Sequence, residues 1–142
     1  MQSYGQWYRL FTVALMHDQV SDLPYHLAFN MLALHSLGTQ IESVLGRTRF
    51  FAIFFFSLLT GSLTSAYFLP FNGYSIGVSG AVFGLFGAIL VLGRRYGVGM
   101  RAVLVTVGIN LAIGFTIPGI DWRAHVGGLI GGAAIARLLI HK

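Results

Sequence analysis

Two residues of this sequence have the chemistry of a nucleophile and its base. Ser79 stands in Gly77-Val78-Ser79-Gly80, at the mouth of an apolar run that continues to Val91. His125 stands in Ala124-His125-Val126-Gly127-Gly128, near the end of the chain. A polar side chain inside a bilayer is costly, so a serine and a histidine set among such residues are candidates for function. A serine hydroxyl is a weak nucleophile and needs a neighbouring base. A neutral imidazole can take its proton and later return it to a leaving amine. On spacing alone two readings of Ser79 stand open: nucleophile, or helix N-cap with glycines that serve only packing.

His26 and Asn30 are spaced i, i+4 and share one face of a helix. Both can donate hydrogen bonds to a developing oxyanion, with the Ser79 amide as a third donor. The other reading of this pair is a polar contact between helices. Metal chemistry is not expected: the partner of His26 is an asparagine, no H-E-x-x-H occurs, and the chain has no cysteine. No cofactor is implied either. Asp121, four residues before His125, is either a third member that orients the imidazole or a residue of a wet loop. A dyad is the working expectation. His17, His35, His141 and Glu42 are read as structural or loop residues, and the aromatic run Phe50–Phe56 as lipid-facing or core filler.

The elements that must position these groups are membrane helices. The 142 residues are 56% hydrophobic and 9% charged, with mean hydropathy +0.76, whereas a soluble domain carries about 25% charged residues. The expected class is all-α membrane, a single domain over residues 1–142. Five apolar spans are read at about 24–44, 50–69, 79–93, 102–117 and 122–140, with 1–23 as an amphipathic external loop. The net charge of +5 does not point to nucleic acid. Seven of the nine Lys and Arg residues, Arg47, Arg49, Arg94, Arg95, Arg101, Arg137 and Lys142, lie mostly in gaps on one side of the membrane, with Arg9 and Arg123 on the other, a bias that the positive-inside rule reads as topology. The C-terminus is then cytoplasmic. Five spans would put the N-terminus outside, yet the first twenty residues carry no export signal; a further span upstream is the simplest expectation, with dual topology or a five-span protein as the alternatives.

Depth follows from length. From Ser79 to Arg94 is fifteen residues, roughly 22 Å of helix, against a hydrocarbon core of roughly 30 Å. With the arginines at the inner interface, Ser79 lies within the outer leaflet. The same measurement from Arg137 back to His125, and from Glu42 back to Asn30, gives a similar level. Gly80, Gly84 and Gly87 on one helix and Gly128 and Gly132 on the other would let the two backbones approach closely.

Taken together these residues resemble the rhomboid family of intramembrane serine proteases. The matching pieces are Trp7 and Arg9 in Q-W-Y-R-L-F-T, A-L-M-H ending at His17, His26-x-x-x-Asn30, Gly38-x-x-x-Glu42-x-x-x-Gly46, Gly77-Val78-Ser79-Gly80, and Ala124-His125-Val126-Gly127-Gly128 with Gly132. The resemblance implies a polytopic helical bundle of the rhomboid type, a six-helix core of which this chain holds five spans and lacks the first. It implies Ser79 as nucleophile, His125 as general base, and an oxyanion hole from His26, Asn30 and the Ser79 amide, in a site opening outward through a water-filled cavity. Substrates would be single-span membrane proteins in the lipid bilayer, and the span at 102–117 would be similar to the family's lateral gate. The implied location is a bacterial plasma (inner) membrane. One departure is Phe83, where the family often has a tyrosine stacked under the histidine. A catalytically silent rhomboid-like protein that binds membrane clients is the alternative; such relatives typically lack the serine or the histidine. A transporter would need ionisable groups near the midplane or an inverted repeat, and neither is read here.

Overall fold

Backbone polar groups have no water to bond inside a bilayer, so an apolar chain closes its hydrogen bonds within helices. A computed structural model describes residues 8–12, 25–68, 78–96 and 99–140 and shows that outcome. Among these residues all regular structure is helical: α1 (Arg9–Thr12), α2 (Tyr25–Leu45), α3 (Arg47–Phe68), α4 (Ser79–Tyr96), α5 (Met100–Thr116) and α6 (Trp122–Ile140). Helices α3 and α6 are long and apolar enough to cross a membrane, and the apolar lengths of α4 (Ser79–Gly93) and α5 are shorter.

The connections are set by residues that can reverse the chain. Gly46, at φ +83°, separates α2 from α3 as a single residue. A side chain there would meet nothing, so the glycine is required by its left-handed backbone alone. Beside it Arg47 Nε lies 3.1 Å from Glu42 Oε1, an exposed pair that contributes little stability. Gly119, at φ +93°, follows Pro118 in the short turn from α5 to α6.

Two differences from the sequence reading concern helix ends. A one-turn helix, α1, lies in the stretch read as external loop; it packs against α3 and buries Leu10. Arg47 and Arg49, read in a gap, lie in the first turns of α3, and Arg94, Arg95 and Arg101 also lie within helices. A helix continues past its apolar edge because its internal hydrogen bonds persist where the side chains change from oily to charged.

Helix α4 is central. Its residues from Ser79 to Leu85 are all buried, and it packs on α2, α3, α5 and α6. Ile41 of α2, Ile53 of α3, Leu85 and Ile89 of α4 and Ala136 of α6 form the core with their neighbours. Large apolar side chains also point outward: Phe29 and Leu32 on α2, Phe55 on α3, Leu104 and Phe115 on α5, Ile130 and Leu138 on α6. In water such a surface would aggregate; lipid solvates it. Since lipid is as apolar as this core, close packing must supply the association.

Helix α6 achieves this with two glycine edges. A Cβ on Gly128 would lie 1.9 Å from the Gly80 carbonyl oxygen, and one on Gly132 would lie 2.0 Å from that of Gly84. The other edge faces α3, where side chains on Gly127 and Gly131 would collide with Thr64 and Thr60. The hydroxyls of Ser57, Thr60 and Thr64 donate to carbonyl oxygens of α3 itself, so their polar atoms enter the interior already bonded.

Candidate active site

The glycine contacts between α4 and α6 bring Ser79 and His125 together. His125 Nε2 lies 3.0 Å from Ser79 Oγ, across 46 residues of sequence. Ser79 is 8% exposed and His125 5%. Ser79 is the first residue of α4, and the amide of Val82 closes the first turn on the Val78 carbonyl. The Ser79 hydroxyl therefore meets the imidazole, not the backbone it would cap. With the proton of the neutral ring on Nδ1, Nε2 is the acceptor and the Ser79 hydroxyl donates to it.

Phe83, one turn below Ser79, stacks on His125 with ring centroids 4.1 Å apart and planes 5° from parallel. The parallel contact limits rotation of the imidazole, which a base must not do between turnovers. It also places a π face against the cation that forms when His125 accepts a proton. On the α5 side a Cβ on Gly114 would lie 3.6 Å from His125 Nδ1.

Of the candidate oxyanion donors, Asn30 is buried on α2, the helix that packs beside α4. His26 belongs to α2, but its side chain lies outside the described residues, as does that of Arg9. Trp7, His17 and Gly77 lie outside the described residues altogether. Gly80, Gly128 and Gly132 form the backbone contact already given. The described residues hold no group of three or more His, Cys, Asp or Glu side chains suited to a metal ion.

The sequence reading left one connection unseen. Asp121 Oδ1 accepts the backbone N–H groups of Arg123 at 3.1 Å and Ala124 at 3.2 Å, the geometry of an N-cap on α6. Its Oδ2 accepts the hydroxyl of Ser65 on α3. An aspartate directly before an apolar helix is a readable cap signal. The Ser65 half had no signal, because it lies 56 positions earlier in the chain.

An oily helical bundle holding a buried serine–histidine pair at hydrogen-bond distance defines a class: an integral membrane protein with the parts of a serine hydrolase. Comparison with known proteins gives the family. The family model described as Rhomboid domain matches residues 4–142, and the chain belongs to the rhomboid family. It is 40% identical to Rhomboid protease GluP of Bacillus subtilis (strain 168), over 95% of this chain and 26% of that protein. It is 37% identical to RHOMBOID-like protein 7 of Arabidopsis thaliana, over 95% of this chain and 44% of that protein. The putative rhomboid protease YdcA of Bacillus subtilis (strain 168) is 30% identical over 97% of this chain and 70% of its own length. The chain thus spans a quarter to less than half of the first two relatives.

Proposed function

We propose that this protein is an intramembrane serine endopeptidase that cleaves single-span membrane proteins within or near the bilayer, with Ser79 as nucleophile and His125 as general base. The observation that carries the reading is the 3.0 Å contact between Ser79 Oγ and His125 Nε2. Membership of a family that includes a named protease supports it.

The steps follow from that contact. As Ser79 Oγ bonds to the scissile carbonyl carbon, its proton passes to His125 Nε2. The carbonyl oxygen becomes an oxyanion, which the Ser79 amide, Asn30 and His26 stabilise. His125 then returns the proton to the amide nitrogen, the C–N bond breaks, and the amine leaves. Water attacks the acyl-enzyme with the same histidine as base, which releases the carboxylate and restores the serine. Helix α5 is the proposed side entrance for substrate. It buries only Val107 and Gly114 and leaves Leu104, Val105, Ile109 and Phe115 outward, so moving it aside breaks few contacts. Phe83 keeps the stack and lacks a tyrosine's hydroxyl.

Labelling with a fluorophosphonate tests the reading. The full-length protein is expected to form one covalent adduct, at Ser79 by peptide mass spectrometry. An adduct elsewhere, or none in the folded protein, overturns it in favour of a client-binding relative.

The oxyanion assignment has its own test. Asn30→Ala is expected to lower kcat by roughly 10²-fold with KM little changed, the scale seen when one oxyanion donor is lost. An unchanged kcat in a correctly folded variant removes Asn30 from the site.

A further inference from the structure

The start of a helix is its softest part, because its first N–H groups have no partner within the helix. His125 lies in that part, with α6 beginning at Trp122. Its own amide is 3.3 Å from the Asp121 carbonyl oxygen, a long bond closing the first turn. A base held on a fraying turn would lose its alignment with Ser79.

Three contacts remove that freedom. Asp121 Oδ1 takes the N–H groups of Arg123 and Ala124, which leaves the first turn capped. Asp121 Oδ2 takes the hydroxyl of Ser65, a residue 2% exposed on α3. Gly61, one turn earlier on α3, packs where a Cβ would lie 2.9 Å from the Ala124 carbonyl oxygen. The carboxylate thus joins the start of α6 both to itself and to a helix that does not carry the nucleophile. Below His125 the helix is held by Gly128 against Gly80. The imidazole lies between an upper clamp and a lower one.

We propose that Asp121 and Ser65 are a positioning pair, which fixes the first turn of α6 to α3 and so sets the height of His125 against Ser79. The proposal rests on the Ser79–His125 reading. The pair acts through hydrogen bonds, and the negative charge is not what it contributes. Asparagine can therefore replace the aspartate: its carbonyl oxygen caps as well as a carboxylate, and its amide can donate to the Ser65 oxygen.

Second-order rates of fluorophosphonate labelling at Ser79 test this, measured on the full-length protein across pH with thermal unfolding alongside. Asp121→Ala is expected to label about 10²-fold more slowly, the scale of a displacement near 1 Å. Ser65→Ala keeps the cap and loses only the tie to α3, so about tenfold slower labelling is expected, in a variant whose small side chain folds readily. Asp121→Asn is expected within about threefold of the parent, with an unchanged pH profile. Rescue by asparagine supports the pair, because loss of a charge beside the base would not be rescued. Parent rates in both alanine variants, with Ser79 still the labelled residue, overturn the positioning role and leave the dyad standing. Asparagine as slow as alanine overturns the hydrogen-bond basis. Absence of Ser79 labelling in the parent overturns dyad and positioning pair together.

Discussion

Replacing Ser79 with alanine is expected to abolish cleavage of a membrane substrate, a loss of about 10⁴-fold or more, with the fold intact. The serine supplies the bond that divides peptide hydrolysis into two easier steps, and its hydroxyl lies 3.0 Å from His125 Nε2. Ser79 contributes a small buried side chain and one hydrogen bond across the interface to His125, so its removal should lower stability by about 1–3 kcal/mol. His125→Ala is expected to be similarly slow. The sharper expectation is for the double variant, Ser79→Ala with His125→Ala, which should be no slower than either single one. Groups that act as one unit lose their whole contribution when the first is removed. Multiplicative losses would mean that the two act separately, and would break the assignment. Quenched single-span substrates in vesicles give the rates.

Gly128→Ala is expected to cost both activity and stability. The new methyl would lie 1.9 Å from the Gly80 oxygen and 2.7 Å from its carbonyl carbon. Both belong to backbone inside a helix, and neither can rotate away. Since relaxed contacts begin near 3.5 Å, α4 and α6 must part by roughly 1.5 Å. The 3.0 Å contact between Ser79 and His125 spans the same interface one turn higher, and a hydrogen bond does not survive that displacement. Turnover should fall by about 10²-fold or more, and overpacking should destabilise the protein by about 1–3 kcal/mol. Gly108→Ala is the control. On α5 a Cβ at Gly108 meets nothing within 4 Å, so alanine's better helix propensity should leave stability equal or slightly raised. Thermal unfolding in detergent and fluorophosphonate labelling measure both. Equal behaviour of the two variants would refute the close-packed interface.

Much of the candidate site was legible because its parts carry local signals. Ser79 between glycines at the edge of an apolar run, and His125 before Gly127 and Gly128, stand out against a chain of oily residues. The i, i+4 spacing of His26 and Asn30 needs only the helical period. Phe83 one turn after Ser79 could be expected to lie near the histidine once the two helices were taken as neighbours, and the stack at 4.1 Å is where it falls. Residues that bond across the bundle gave no such signal. Ser65 is one hydroxyl among several on α3, and nothing nearby in sequence distinguishes it from Ser62 or Thr64. Asp121 was ambiguous between triad member and loop; in the structure it caps α6 and holds Ser65.

By itself the sequence determined the solvent and the repertoire: an apolar chain whose backbone must be helical in lipid, with one serine and one histidine marked out by glycine. Those properties are local, written in composition and in spacings of three and four residues. The tertiary structure decided what touches what. Which glycine edge of α6 faces α4 and which faces α3, how far apart Ser79 and His125 stand, and which side chain ties the first turn of α6 down are all set by helices meeting at contact distance. Such contacts join positions dozens of residues apart, and their energies depend on shape that no single segment of the chain contains.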